Sequence, residues 1–334
     1  MTTALTLAII IIAVALIFDF INGFHDAANS VATIVATQVL TPFQAVLWAA
    51  FWNFVSAFSF GTGVAKTVGS GLVDLSFVDL GVILSGLIGA IIWDLVTWYF
   101  GLPTSSSHAL FGGYAGAAIA AAGFQAILVD GWIRIILFIF IAPILGLALA
   151  WVLMLAVYWL FKGFSPARMD WYFRKLQLVS AAIFSYSHGT NDAQKTMGII
   201  TGVLVTAGFL KTFEVPVWVI LSAHAAIALG TMSGGWRIVH TMGGRLTRLK
   251  PRLGFCAETA AAISILFSTE LHMPVSTTHT VAGAIAGVGS IQRPKAVRWR
   301  IATDILWAWV LTIPAAGIVG WLASLVLRPL IPAI

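Results

Sequence analysis

The chain has 334 residues, of which 60% are apolar and only 9% charged, and its mean hydropathy is +0.99. A soluble domain carries about a quarter charged residues and could not solvate such a surface, so the bilayer is the solvent for most of this chain. The formal charge of +6 would suggest nucleic acid in a soluble protein. In a membrane protein basic residues collect in cytoplasmic loops, and no nucleic-acid partner is read from them.

Stretches approaching the roughly 20-residue length that spans hydrocarbon recur from end to end. We place them near 4–21, 43–62, 77–100, 131–161, 176–187, 196–210, 216–235, 254–271 and 301–327, with breaks expected inside the two long ones. The first residues lack the basic region of a cleavable signal. The ten-residue alternating segments of a β-barrel are absent, so the expected fold is an all-α, multi-pass bundle. Basic clusters at Lys162, Arg168, Arg174 and Lys175, at Arg245, Arg248, Lys250 and Arg252, and at Arg293, Lys295, Arg298 and Arg300 are assigned to the cytoplasm. The acidic turn of Asp74 and Asp79 then faces outward. The single cysteine, Cys256, allows neither an intrachain disulfide nor a thiolate metal cluster, and no cofactor or metal site is expected.

The chain repeats itself. Phe20-Ile-Asn-Gly-Phe-His-Asp-Ala-Ala-Asn29 returns as Tyr186-Ser-His-Gly-Thr-Asn-Asp-Ala-Gln-Lys195, with Asp26 and Asp192 offset by 166 residues. Pro103-Thr-Ser-Ser-Ser-His108 returns as Pro274-Val-Ser-Thr-Thr-His279, offset by 171. Two polar motifs recurring in the same order divide the chain into a first repeat, 1–161, a basic linker, 162–175, and a second repeat, 176–334. Such duplication marks secondary transporters, whose site lies between repeats at the midplane, and we expect the two to be inverted.

An acid at bilayer depth is costly unless it faces a cavity or a partner, so Asp26 and Asp192 are candidates for cation or proton coupling. The glycines before them are expected to unwind the helices and free carbonyl oxygens, with Asn22, Asn29, Asn191 and Gln194 adding more. The Pro-x-Ser/Thr motifs precede apolar stretches too short to span, the pattern of re-entrant hairpins. There proline ends one arm and a hydroxyl caps the next. Such a helix start presents free N–H groups to an oxyanion, with Ser105, Ser106, Ser107, Ser276, Thr277 and Thr278 as donors. The ordinary role of such hydroxyls, helix capping and packing, is outweighed by their duplication beside the two acids. Glu258 either reaches a cation or pairs with Arg237. Asp19, Asp94 and Asp304 also fall in apolar runs. His108 and His279 are read as hydrogen-bonding residues that fix the hairpins. Lys195 stands where the first repeat has Asn29: its ammonium either fills a cation position or attracts the oxyanion, unless it snorkels to water.

Together these motifs resemble the inorganic phosphate transporter (PiT) family, and the likeness covers the whole chain. It implies an inverted-repeat fold with broken helices and paired re-entrant hairpins, phosphate as substrate, and Asp26, Asn29, Asp192 and the hairpin residues as the site. Sodium-coupled relatives end both acid motifs in Asn. Here the second ends in Gln194-Lys195, which resembles the bacterial low-affinity branch, with proton coupling and metal–phosphate cargo implied. A multi-pass protein of the cell inner membrane is expected, with lipid, phosphate and a coupling cation as partners and a homo-oligomer as a further possibility. A sulfate permease, a sodium-coupled phosphate symporter, an anion channel and an intramembrane aspartyl protease are the alternatives. Phosphate keeps a proton at neutral pH and can donate it to a carboxylate, whereas sulfate cannot. A protease would share one proton between paired acids but has no need of duplicated oxyanion hairpins.

Overall fold

The computed structural model describes residues 2–58, 61–242, 249–292 and 297–331. Among them the chain is almost wholly helical, with no sheet and one isolated bridge between Val73 and Ile127. The first half of the chain forms α1 (Thr2–Ala36), α2 (Pro42–Val55), α3 (Gly63–Ser70), α4 (Leu80–Phe100), α5 (Ser106–Ala122) and α6 (Val129–Leu160). The second forms α7 (Pro166–Thr206), α8 (Val217–Ser233), α9 (Trp236–His240), α10 (Pro251–Glu270), α11 (Thr277–Gln292) and α12 (Trp299–Leu327). Among the described residues four helices, α1, α4, α6 and α12, are long and apolar enough to cross a membrane. The bent pair 42–58 and 63–70 raises the number to five at most, fewer than the nine stretches expected.

Helical hairpins form at both positions where re-entrant ones were expected, as α4–α5 and α10–α11. Their tips meet: Ser107 Oγ lies 3.5 Å from the Val275 carbonyl, and the His108 and His279 rings are 4.5 Å apart, edge to face. At the open end of the first hairpin Arg328 bonds Asp79 (2.7 Å) and the Ala121 carbonyl (3.2 Å). The second hairpin opens where Arg252 meets Asp170 at 3.5 Å and Arg174 caps the Gln38 carbonyl at 2.6 Å. The hairpins therefore enter from opposite ends of the bundle. The long helices are exchanged between halves, α12 lying along α4 and α5 and α6 along α10 and α11. Of the basic clusters, Lys162, Arg168, Lys250, Arg252, Arg298 and Arg300 lie at or beside helix starts and ends, and Arg174 and Lys175 about two turns into α7; Arg245, Arg248, Arg293 and Lys295 lie outside the described residues.

The expected breaks at the acid motifs are not there. α1 runs through Gly23 and Asp26, α7 runs unbroken for 41 residues through Gly189 and Asp192, and the linker is itself the first turns of α7. α6 and α12 likewise continue past Pro143 and Pro314. The glycines serve close packing instead. A β-carbon on Gly23 would run into the backbone of Ile227 on α8, and one on Gly189 into the backbone of Asn53 on α2. Small residues that let backbones touch are how membrane helices associate. The polar side chains of the motif are satisfied within the helix, Thr190 donating to the Tyr186 carbonyl (2.7 Å) and Gln194 to the Thr190 carbonyl (2.8 Å). Along α1 and α7 these polar segments separate two buried apolar clusters, one around α10–α11 and one around α4–α5.

Helix propensity alone would make Gly23→Ala stabilising by about 1 kcal/mol. Forcing a methyl onto an immovable backbone costs about 1–3 kcal/mol, so packing decides the sign. We expect Gly23→Ala to lower the unfolding temperature of the detergent-purified protein. A raised temperature would mean that α1 and α8 do not cross there.

Candidate functional site

The site forms where α1 and α7 pass the two hairpin tips. On α7, His188, Asp192 and Lys195 are spaced by four and three residues, which puts them on one face. Lys195 is 1% exposed, so it does not snorkel. Its ammonium donates to Asp192 Oδ1 (2.6 Å), to the Val275 carbonyl (2.9 Å) and to Ser107 Oγ. An ammonium has three protons, and these three acceptors take them all. Lys195 thus ties α7 to both tips at once.

On α1, Asp26 faces the second hairpin. Its Oδ1 accepts from the Thr278 hydroxyl (3.3 Å) and lies 3.1 Å from His25 Nδ1, and Thr277 Oγ1 is 3.5 Å from Oδ2. Asn29 donates to Thr278 Oγ1 at 2.8 Å and more weakly to Thr277 Oγ1 at 3.4 Å. One ligand atom each from Asp26, His188 and Asp192 lie within 4.8 Å of one another, and all three residues are buried. The two acids, 166 residues apart, are therefore brought to one point by the fold.

Each hairpin's second arm starts at this point. Ser105 and Ser276 are the capping residues, accepting from the His108 N–H (3.3 Å) and the His279 N–H (3.2 Å). Their oxygens accept from the backbone, and each hydroxyl keeps its own proton to donate. Ser106 Oγ is buried without a hydrogen-bond partner, Ser107 Oγ meets Lys195, and Thr277 and Thr278 meet Asp26 and Asn29. The first N–H groups of α5 and α11 have no helical carbonyl within reach and carry the positive end of the helix dipole. A cluster with cationic, hydroxyl and N–H donors set against two carboxylates can hold an oxyanion and a cation together.

Several expected residues point elsewhere. Gln194 accepts from the Val64 N–H (3.0 Å) and the Ala65 N–H (3.3 Å), so it caps α3. Asn191 donates to Thr269 (2.8 Å) and accepts from the Val275 N–H (3.2 Å), pinning the second tip. Asn22 reaches only Asp19, at 3.5 Å. Glu258 belongs to a separate buried network with Thr33 (2.5 Å), Gln177 (2.9 Å) and Ser180, two turns along α1 from Asp26. Arg237, its other expected partner, instead donates to the Tyr99 carbonyl at 2.6 Å. The two histidines that end the hairpin motifs pack ring to ring, with His279 stacked on Trp309 at 3.7 Å. They join the tips by ring packing, since His108 Nδ1 and both His279 ring nitrogens make no hydrogen bond. Asp94 is fully buried beside the cluster, close enough to Ser106, His25 and Asp26 to interact with them, whereas Asp304 is exposed. His25 and His188 were not singled out in the sequence, although each sits within four residues of an acid.

Two opposed hairpins closing on paired acids define a membrane transporter. Residues 22–320 match the model of the phosphate transporter family, and the chain belongs to that family. It is 53% identical over 320 residues to a probable low-affinity inorganic phosphate transporter of Rhizobium meliloti (strain 1021), covering 96% of each chain. It is 46% identical over 331 residues to one of Bacillus subtilis (strain 168), covering 98% of this chain and 99% of that one. A solved structure titled the sodium-dependent phosphate transporter superposes with a TM-score of 0.87 at 26% identity, over 97% of this chain and 99% of the other. The family is one of transporters, which removes the intramembrane protease.

Asp26→Asn and Asp192→Asn should each abolish phosphate uptake in proteoliposomes while the purified variants still elute as folded protein; wild-type uptake by both would end the assignment. Ser106 offers a sharper test of the helix start. It is the first residue of α5, where proline is well tolerated, and Ser105 before it is already extended (φ −108°, ψ 114°). Ser106→Ala should weaken phosphate binding by about 1–3 kcal/mol, the range for a hydrogen bond to a charged group. Ser106→Pro, which also deletes the N–H, should weaken it further. Normal binding by the proline variant would rule out the backbone as a phosphate ligand.

Proposed function

We propose that this protein imports inorganic phosphate across the cell inner membrane as a secondary symporter driven by protons, with metal–phosphate complexes among its cargoes. The observation that carries this reading is the Lys195 ammonium on Asp192 Oδ1 between the two tips. In the first half the equivalent position is the neutral amide of Asn29, so among the described residues Asp26 has the His25 ring at 3.1 Å and no lysine or arginine beside it. A lysine at 2.6 Å from a carboxylate occupies the space and supplies the charge that a coupling sodium ion would bring. The driving force then comes from protons, carried on phosphate or on a carboxylate.

The hairpin starts would hold the phosphate oxygens through Ser106, Thr277, Thr278 and adjoining N–H groups, with Ser107 and Lys195 bridging them to Asp192. Protonated phosphate can donate a hydrogen bond to Asp26, which is the reason to prefer it over sulfate. Ser105 and Ser276 would keep the two helix starts in register. The tip-to-tip hairpins support two halves, 1–161 and 176–334, in inverted orientation. Access would alternate as one hairpin and then the other withdraws from the shared point. The sodium-coupled reading draws its support from Asn29 and Asp26, which keep one cation position open.

An imposed inward proton gradient should drive uptake of labelled phosphate into proteoliposomes, and replacing sodium with choline should not reduce it. Lys195→Asn should lower transport and make the remainder sodium-dependent. Wild-type uptake that requires sodium and ignores a protonophore would falsify the proton-coupled reading. Uptake of sulfate in place of phosphate would overturn the substrate.

A further inference from the structure

We propose that Asp26, His188 and Asp192 form a binding site for a first-row divalent transition metal, with His188 Nε2 as its nitrogen ligand. The inference rests on reading this cluster as the cation-handling part of the transport site. It goes further in assigning the ion's grip to the protein itself, independently of phosphate.

The tautomer of His188 follows from a chain of hydrogen bonds. Thr231 spends its hydroxyl proton on the Ile227 carbonyl (2.9 Å), so its oxygen can only accept from Asn53. Asn53 Nδ2 donates to it at 2.9 Å, which turns Asn53 Oδ1 toward His188 Nδ1, 3.2 Å away. Nδ1 therefore carries the proton and Nε2 presents a lone pair. A histidine whose other nitrogen donates to an oxygen is the usual arrangement of a metal ligand.

That lone pair has nothing to bond. His188 and Asp192 are both fully buried, and His188 Nε2 and Asp192 Oδ2 both lack a hydrogen-bond partner. They stand 3.5 Å apart, long for a hydrogen bond. Two ligands about 2.0–2.2 Å from a zinc-type ion at the tetrahedral angle stand ~3.4 Å apart, so the spacing suits a shared ion. The residues are one helical turn apart on α7, the i, i+4 pattern that aims two ligands at one metal. Asp26 brings the third ligand atom from α1, within 4.8 Å of the others, and its Oδ2 has only the weak 3.5 Å contact with Thr277.

Charge allows the ion. The three ligands offer a cation two carboxylates and an imidazole lone pair, with the Lys195 ammonium engaged only at Oδ1 of Asp192 and the His25 ring 3.1 Å from Oδ1 of Asp26. The ligand type selects it. Sodium, magnesium and calcium favour all-oxygen sites, whereas an imidazole with two carboxylates suits zinc, cobalt or manganese. Three protein ligands leave coordination positions for water or a phosphate oxygen.

Cobalt(II) is the probe. Titrated into the full-length protein in phosphate-free detergent solution, it should bind one ion per chain, with visible d–d absorption that zinc abolishes. His188→Gln should weaken binding about tenfold or more, the scale of losing one contact around a metal, while eluting as folded protein. His188→Cys should restore it and add a cobalt–thiolate charge-transfer band. A merely structural histidine would not produce that band, and the protein's own Cys256 is buried elsewhere. If the cysteine variant does not elute as folded protein, the glutamine comparison decides. No cobalt binding by the wild type, or equal binding and spectra in wild type and His188→Gln, would overturn the site. Phosphate uptake is measured on the same preparations. Uptake without metal binding overturns the metal site alone, and metal binding without uptake upholds it while contradicting the transport reading.

Discussion

The ammonium of Lys195 has almost no exposure, and its three acceptors come from three parts of the chain: Asp192 on α7, Ser107 on the first hairpin and Val275 on the second. The ion pair with Asp192 stays within α7, but a buried charged donor left without its acceptor on a hairpin costs about 1–3 kcal/mol or more. Either hairpin can therefore move away from α7 only if something else takes up the bond it abandons. An incoming phosphate could do this with its own oxygens, and a proton on Asp192 would loosen the same point from the other side. One lysine thus couples the position of the tips to the chemistry of the site.

The rest of the architecture delivers groups to that point. Continuous α1 and α7 act as two rigid rods crossing it, which keeps Asp26, Asn29, His188, Asp192 and Lys195 at fixed helical spacing. Their glycines let α8 and α2 approach to backbone contact. Gln194 and Asn191 hold α3 and the second tip against α7. In the proposed site the helix starts would make the ligand surface, since their N–H groups need no basic side chain, and the Lys195 charge is balanced by Asp192. The exchange of α6 and α12 between halves means that each hairpin is braced by the other half's long helix, so the two can respond to one occupant.

The hairpins and the paired acids were legible because each is a local pattern, proline then hydroxyls then small residues, or an acid in an apolar stretch, and each occurs twice. The continuity of α1 and α7 was not. Glycine beside Asn and Asp is the usual sign of a break, and only the Ile227 and Asn53 backbones opposite show that it marks a crossing instead. Tertiary partners also decided where the other candidate side chains lie. Glu258 lies in an apolar run like Asp26, yet Thr33, Gln177 and Ser180 absorb it into a separate network. His108 and His279 are 171 residues apart and come from different repeats, so their contact exists only once the tips meet. His188 had a sequence signal, a histidine one turn before an acid, but its free nitrogen becomes visible only through Asn53 and Thr231.

The central claim is that the oxyanion sits where the two tips, α1 and α7 converge. Arsenate has the shape and protonation of phosphate, and its arsenic scatters anomalously, so diffraction from crystals grown with arsenate locates it directly. The account predicts one strong anomalous peak within hydrogen-bonding reach of Ser106, Thr277 and the Lys195 ammonium. A peak elsewhere in the bundle, with none between the tips, would contradict it.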